Sequence, residues 1–290
     1  MNRLFASLIV AAAVGGVAAF ELPEEAVRGR DFAFCNVGSN SGIYAFDWEG
    51  AGVKGLSLAT SPQSINLGFE LLERYADRLA QGCTVFIPIC PFSSIARTRA
   101  ESKWKGPDSR PDVEKNPVTP EAFRQSVEML LKCWREEFDI TDFAAPLSER
   151  NRQTFKAKVK VLREGLEMCI RKGWRPVLVM PPVSRYYDAV FTDKVWRQYV
   201  DDFVAAAHVD GVPYWDYGRD ERFRDDANFF NSLMMSRKGA AAFTAELLRR
   251  IKVEPPFAAF RACEDRRLLP RDRAGEPGSG AAAGDRGALM

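Results

Sequence analysis

Short apolar runs alternate along this chain with longer stretches of helical period, and that alternation restricts the fold more than any other feature. The runs Phe32 to Val37, Lys54 to Ala59, Thr84 to Ile89, Pro176 to Met180 and Val212 to Tyr217 have the length and apolar content of buried strands. Between and after them lie amphipathic segments, Ser64 to Ala80, Pro120 to Phe138, Glu149 to Lys172, Val190 to Ala207 and Ser236 to Ile251. A strand followed by a helix and a further strand closes as a right-handed crossover, which makes neighbouring strands parallel and covers both sheet faces with helices. The expectation is an α/β fold: a three-layer α/β/α sandwich on a mainly parallel five-stranded sheet, flavodoxin-like in outline. Thr119-Pro120-Glu121 supplies an N-cap, a proline and an acidic first turn for the second helix, and Thr192-Asp193 offers a similar entry within the fourth.

The ends of the chain read differently. Arg3 precedes an uncharged run from Leu4 to Ala19, and charge returns only at Glu21, Glu24 and Glu25. That is the composition of an export signal, with small residues at Val17 and Ala19 ahead of a cleavage point, and it falls short of the roughly 20 residues of a comfortable membrane span. Residues 1–19 are expected to be a signal peptide, and membrane contact is expected only if that segment stays uncleaved. The folded domain is expected over residues 28–253. From 254 to 290 the chain turns to Pro, Gly, Arg and Ala and cannot bury enough apolar surface to order itself, so a disordered tail is expected. A second break, Arg97 to Val118, is charged and proline-rich and reads as a long insertion after the third strand, at the edge where open α/β sheets bind ligands.

Charge excludes one class of partner. Lys and Arg number 41 against 39 Asp and Glu, interspersed throughout, which leaves no basic footprint for nucleic acid. Six cysteines show no C-x-x-C spacing, and the chain has one histidine, so neither an ordinary zinc site nor any cofactor is expected. Buried thiols are the plain expectation for most of the cysteines, although export permits a disulfide, for which Cys133 and Cys169 on two predicted helices are the first choice.

At the end of the first strand stands Gly38-Ser39-Asn40-Ser41-Gly42-Ile43-Tyr44-Ala45-Phe46-Asp47, a glycine-flanked turn. Exposed backbone N–H groups in such a turn can hold an anion or a developing oxyanion, and glycine and serine are equally ordinary turn residues. This stretch resembles the first block of SGNH hydrolases of the bacterial cell-surface type, which often read Gly-Ser-Ser-His-Gly, an aromatic and then Phe-Asp. Further likenesses follow in order. Leu56-Ser57-Leu58-Ala59 with Ser61-Pro62-Gln63-Ser64 resembles the second block, and Val85 to Ile89 with Phe92-Ser93 the third. Val177 to Ser184 resembles a later strand with its loop, and Phe229 to Ala240 the closing block. The resemblance covers about Phe32 to Ile251.

In that family the first block supplies a serine nucleophile, the second and third supply oxyanion-hole donors, and the last supplies an Asp-x-x-His pair. This chain departs at every catalytic position: Asn40 falls where the serine is expected, Asn231 at the aspartate and Met234 at the histidine. A one-residue shift would give the nucleophile's place to Ser39 or Ser41. A thioether cannot take a proton near neutral pH, so the general base that the resemblance implies is missing. The lone histidine, His208, falls where strands begin, roughly a strand length of 17–20 Å from the Ser39 turn, and suits a helix C-terminus better than a catalytic role. Asp47, Asp216, Asp220, Asp225 and Asp226 are conceivable bases, with Ser39, Ser41, Ser93 or Ser94 as acceptors, if burial raises a carboxyl's pKa.

Gly38, Ser39, Asn40, Ser41, Tyr44, Ala59, Ser93, Tyr186, Asn231 and Ser232 are the expected ligand-binding set. The rings of Tyr44, Phe46, Phe92, Tyr186, Tyr187, Trp215, Phe229 and Phe230 group beside the same predicted loops, where in an exported protein they can stack on sugars or simply fill the core. The resemblance therefore implies three alternatives. One is a noncatalytic envelope protein that binds a glycan or acylated carbohydrate. Another is an active carbohydrate esterase or acyltransferase using Ser39 with a non-histidine base. The third is a structural or interaction protein whose cleft takes no ligand.

Overall fold

A computed structural model describes residues 21–96, 118–140 and 142–253 of the chain. The segment expected to be a signal peptide, most of the expected insertion after the third strand and the expected tail lie outside the described residues. Five strands form one parallel sheet: β1 (Phe32–Asn36), β2 (Leu56–Ser57), β3 (Leu79–Pro88), β4 (Arg175–Met180) and β5 (Tyr214–Asp216), in the order β2-β1-β3-β4-β5. Helices α1 (Asn40–Ala45), α2 (Ile65–Arg74), α3 (Pro120–Phe138), α4 (Glu149–Arg171), α5 (Arg185–Asp188), α6 (Asp193–Trp196), α7 (Asp202–Ala206) and α8 (Arg237–Val253) complete it, and a π-helical turn at Arg197–Asp201 joins α6 to α7. The fold is a three-layer α/β/α sandwich.

The two-residue period of the strands sorts their side chains onto two faces. Cys83, Val85 and Ile87 of β3, with Leu178 and Met180 of β4, pack beneath α2, α4 and the α6–α7 run through Leu71, Leu72, Leu162, Leu166, Val200 and Phe203. Phe86 of β3, with Val177 and Val179 of β4, faces the opposite layer, where α8 contributes Ala240, Phe243 and Leu247. Both faces being covered explains why these strands are continuously apolar rather than alternating. Helix α3 belongs to both layers: Phe123 near its start joins one core and Trp134 and Phe138 near its end join the other. It thus lies across the edge at which the strands finish.

The cap expected at Thr119 forms, the one expected at Thr192 makes no side-chain hydrogen bond, and Ser148 supplies a further one. Thr119 Oγ1 accepts from Ala122 N at 3.2 Å, with Pro120 as the first helical residue, and Ser148 Oγ accepts from Asn151 N at 3.2 Å. Other boundaries differ from the expected ones. The helix expected to Ala80 ends at Arg74, because Leu79 and Ala80 already belong to β3, where Leu79 pairs with Phe32 of β1. The second strand keeps only Leu56–Ser57 of the run from Lys54 to Ala59, because it is an edge strand held by β1 alone. The fourth helical segment begins at Asp193 rather than Val190, since residues 190–192 form its entry. The turn after β1 is itself helical from Asn40 to Ala45.

The proposed Cys133–Cys169 disulfide is absent. Cys35, Cys83, Cys90, Cys133 and Cys169 are all free thiols. Cys169 is fully buried among the sheet-facing residues of α4, whereas Cys133 is exposed on α3, so the two point into different surroundings. Burial pushes the Cys83 and Cys169 thiols each up to about 12, and that of Cys35 well above the ordinary range.

Candidate functional site

The strand order places the topological switch point between β1 and β3, and in open α/β sheets ligands bind there, outside the carboxyl ends of the strands. A cavity of about 350 Å³ opens at that place, at the lower end of the roughly 300–1,000 Å³ usual for small-molecule pockets. One end is polar, formed by Gly38, Ser39, Asn40 and Ser41 after β1, Gln63 after β2, and Cys90 and Ser93 after β3. The remainder is mainly apolar: Phe69 of α2, Phe92, and Leu130, Trp134 and Phe138 of α3 form the walls, Leu233 and Met234 come from the loop before α8, and Glu137 and Lys158 are the charged residues of the lining.

The turn that builds the polar end needs glycine at two positions. Gly38 has φ +116°, and a Cβ there would also crowd Pro88 Cγ at 3.2 Å. A Cβ on Gly42 would stand 2.3 Å from Val37 O, so α1 can lie against the end of β1 only without a side chain at that position. The fully buried Asn36 ties the arrangement together. Its Nδ2 donates to Gly42 O at 3.0 Å and its Oδ1 accepts from Trp48 Nε1 at 2.9 Å. Gln63 joins the ends of β1 and β2: its Oε1 accepts from Gly38 N, and its Nε2 donates to Leu58 O at 2.7 Å and Thr60 Oγ1 at 3.0 Å.

Within this frame the Ser39 hydroxyl accepts from Gln63 N at 3.2 Å, and among the described residues it has no carboxylate or imidazole partner. Ser93 Oγ accepts from Cys90 N at 3.0 Å and lies 3.2 Å from Cys90 Sγ. Glu137 is the only carboxylate among the described lining residues, on the exposed side of α3, and Lys158 the only cation. Lys158 donates to Asn66 Oδ1 at 3.0 Å, and burial lowers its pKa. His208 stands away from the cavity, beyond α7 on the edge where the strands begin, exposed and 3.1 Å from Asp210.

The expected site residues separate into two groups. Gly38, Ser39, Asn40, Ser41, Ser93 and Met234 line the cavity. Tyr44 borders only a small adjoining recess and is buried edge-to-face against Phe230 at 5.0 Å, in a cluster with Ile43, Ala59 and Met234. Ala59 is therefore packing. Tyr186 is not a cavity residue either: its ring stacks on Phe123 at 4.8 Å and its hydroxyl meets Asp226 at 3.3 Å. Asn231 Oδ1 accepts from Leu233 N at 3.0 Å and Met234 N at 2.7 Å, which commits it to its own turn. Ser232 is buried and bridged to Ser126 Oγ at 2.9 Å, and its carbonyl accepts from Ser184 Oγ at 2.7 Å.

The alternative bases are engaged elsewhere. Asp216 Oδ1 accepts from Gly218 N at 2.8 Å; desolvation raises its carboxyl above the usual range, but it is not among the cavity lining. Asp220 pairs with Arg222, Asp225 caps a short turn at Ala227, Asp226 pairs with Arg185, and Asp47 Oδ1 accepts from Gly50 N. Ser94 Oγ, fully buried, donates to Tyr199 O at 3.3 Å. Among the described residues no cluster of His, Cys, Asp and Glu is placed to hold a metal ion.

Sequence reasoning quoted Gln63 within the second block without choosing it as a site residue, gave no role to Trp134 or Leu130, and treated Cys90 as a buried thiol and Tyr187 as one ring among many. The polar signature of Gln63 lay in plain view within Ser61-Pro62-Gln63-Ser64. The α3 residues carried no local signal, because they become cavity residues only through the tertiary packing of α3.

No family model matches this chain, and no curated protein matches it. Among solved structures it is similar to a hydroxysteroid dehydrogenase from Escherichia coli, at 10% sequence identity over 68% of this chain and 100% of that one, with a TM-score of 0.21. A likeness of that size informs neither the fold nor the chemistry.

Proposed function

We propose that this chain is a noncatalytic, envelope-exported relative of the SGNH hydrolases, and that its cleft binds an acyl-bearing carbohydrate without turning it over. The observation that carries the reading is the composition of the cavity: a polar end at Ser39, Asn40 and Gln63 that leads into a sac walled by Phe69, Phe92, Leu130, Trp134 and Phe138. A bare sugar calls for hydrogen-bonding groups around its whole rim, whereas an acyl chain calls for apolar walls and contributes about 0.8 kcal/mol per buried methylene. The sugar would remain at the polar mouth.

The absence of turnover rests on proton chemistry. A serine hydroxyl becomes a nucleophile when an adjacent base takes its proton. The partner of Ser39 Oγ is a backbone N–H, Asn231 is held by its own turn, and Met234 offers a thioether. The envelope location rests on the signal-like composition of residues 1–19.

The test is calorimetric titration of the purified protein with a medium-chain acylated glycoside, followed by mass spectrometry of the recovered ligand. The reading expects saturable binding and an intact ester. Release of free fatty acid that stops on Ser39→Ala would replace it with the active-esterase reading, and absence of binding would leave a structural role.

A further inference from the structure

Lys158 of α4, the one cation among the described lining residues, has a charge that its surroundings leave unbalanced. The side chain is half-buried, and its ammonium donates at 3.0 Å to Asn66 Oδ1, a neutral acceptor on an exposed residue of α2. Other cations of the same helix have carboxylates: Arg152 pairs with Glu149 at 2.6 Å, Lys160 with Glu164 at 3.8 Å and Arg171 with Glu167 at 3.8 Å. Burial lowers the Lys158 pKa and no carboxylate among the described residues offsets that, so Glu137, the other charged residue of the lining, does not act as its counterion. A partly desolvated cation is disfavoured until an anion joins it. Asn66 also fixes where the ammonium lies. It follows Ser64 and Ile65 and precedes Gly68 and Phe69, all four on the lining, so the charge stands at the rim on the α2 side, beside the segment from Pro62 to Ile65 that adjoins the polar end.

We propose that Lys158 pairs with a single negative charge on the head group of the ligand, so that the cavity takes an acyl-bearing acidic sugar, of the uronic-acid class, in preference to a neutral one. One carboxylate balances one ammonium. A doubly charged phosphate would leave a charge over on a lining that also carries Glu137. The acyl chain keeps the apolar walls at Phe92, Leu130 and Trp134, and the carboxylate remains at the rim, where the ammonium already points toward an exposed partner. The inference rests on the acyl-binding reading above and narrows it to one class of head group.

The experiment compares 1-O-octanoyl glucuronic acid with 1-O-octanoyl glucose, which differ only in the carboxylate, by calorimetry on the wild-type protein, Lys158→Gln, Lys158→Arg and Lys160→Gln. The acid is expected to bind the wild type about tenfold more tightly than the neutral sugar, the change that one hydrogen bond to a charged group makes. That preference should shrink as salt is raised, because a charge pair at the rim is screened. Lys158→Gln is expected to abolish it and Lys158→Arg to retain it. Lys160→Gln, which removes the same charge from a residue paired with Glu164 and off the lining, is expected to leave it intact. Equal affinity for the two sugars in the wild type, a preference that survives Lys158→Gln, or one lost equally in Lys160→Gln overturns the head-group inference and leaves acyl binding intact. Failure of both ligands to bind overturns both.

Discussion

The side-chain oxygen of Asn231 accepts a hydrogen bond from the backbone N–H of Met234 at 2.7 Å. At the two positions where the resemblance calls for an aspartate and a histidine, the chain has a self-contained turn, with a second bond from Leu233 N at 3.0 Å. Asn231 thereby fixes how Met234 is presented to the cavity. A carboxylate oxygen could accept the same two bonds. Asn231→Ala is expected to cost about 1–2 kcal/mol of stability, and Asn231→Asp much less, as read by denaturant unfolding. Equal losses would mean that the turn does not depend on the acceptor.

Burial of acyl methylenes predicts a ladder of affinities. Each added methylene should tighten binding about fourfold while the chain still finds apolar wall, measured by titration with a series of acyl lengths. Phe92→Ala should flatten the ladder, and it should also cost about 3–5 kcal/mol of stability. Its ring centroid lies 3.8 Å from that of Trp134, 5.4 Å from that of Tyr199 and 5.5 Å from that of Phe138, so the wall and the core share this residue.

The thiols should react in an order set by burial. Cys133 is exposed and should react with an aromatic disulfide reagent in the native protein, whereas Cys35, Cys83 and Cys169 should react only on unfolding. Cys90, half-buried on the cavity wall, should react slowly and be protected by bound ligand. Peptide mapping after labelling checks the order, and a Cys133–Cys169 cross-link found under non-reducing conditions would contradict it.

Asp188 anchors α5, the helix that carries Tyr187, through Arg219 at 2.6 Å and Arg224 at 2.9 Å. Burial by itself would raise its carboxyl, but the hydrogen bonds from Arg224 and Arg219 outweigh that and hold it below the usual range. A carboxyl depressed in the folded state contributes stability above its unfolded pKa of about 3.9 and loses that contribution as pH falls through the folded value. The stability gap between the wild-type protein and Asp188→Asn should therefore be constant above about pH 5 and narrow below about pH 4. Unfolding curves across that range provide the check, and a gap that widens in acid would contradict the assignment.

The sheet was legible because its strands are buried on both faces and so stand out as unbroken apolar runs, as in Val85 to Ile89 and Val177 to Met180. Edges were less legible: Lys54 to Ala59 looks like a full strand, but two of its residues pair, with a single neighbour. The polar end of the site was visible in Gly38 to Ser41 because a turn between strand and helix is a local pattern. The apolar walls were not, since Leu130, Trp134 and Phe138 become cavity residues only when α3 crosses the strand ends. Tyr186 and Tyr187 are neighbours in sequence, and nothing local says that Tyr187 faces the cavity while Tyr186 stacks on Phe123.

The most direct measurement combines binding and fate in one sample: the purified protein is titrated with an octanoylated sugar, treated with a fluorophosphonate probe, and both protein and ligand are weighed by mass spectrometry. The account predicts one saturable site, an unlabelled protein and a ligand of unchanged mass. A probe adduct at Ser39 or Ser41 accompanied by loss of the octanoyl group from the ligand would contradict it.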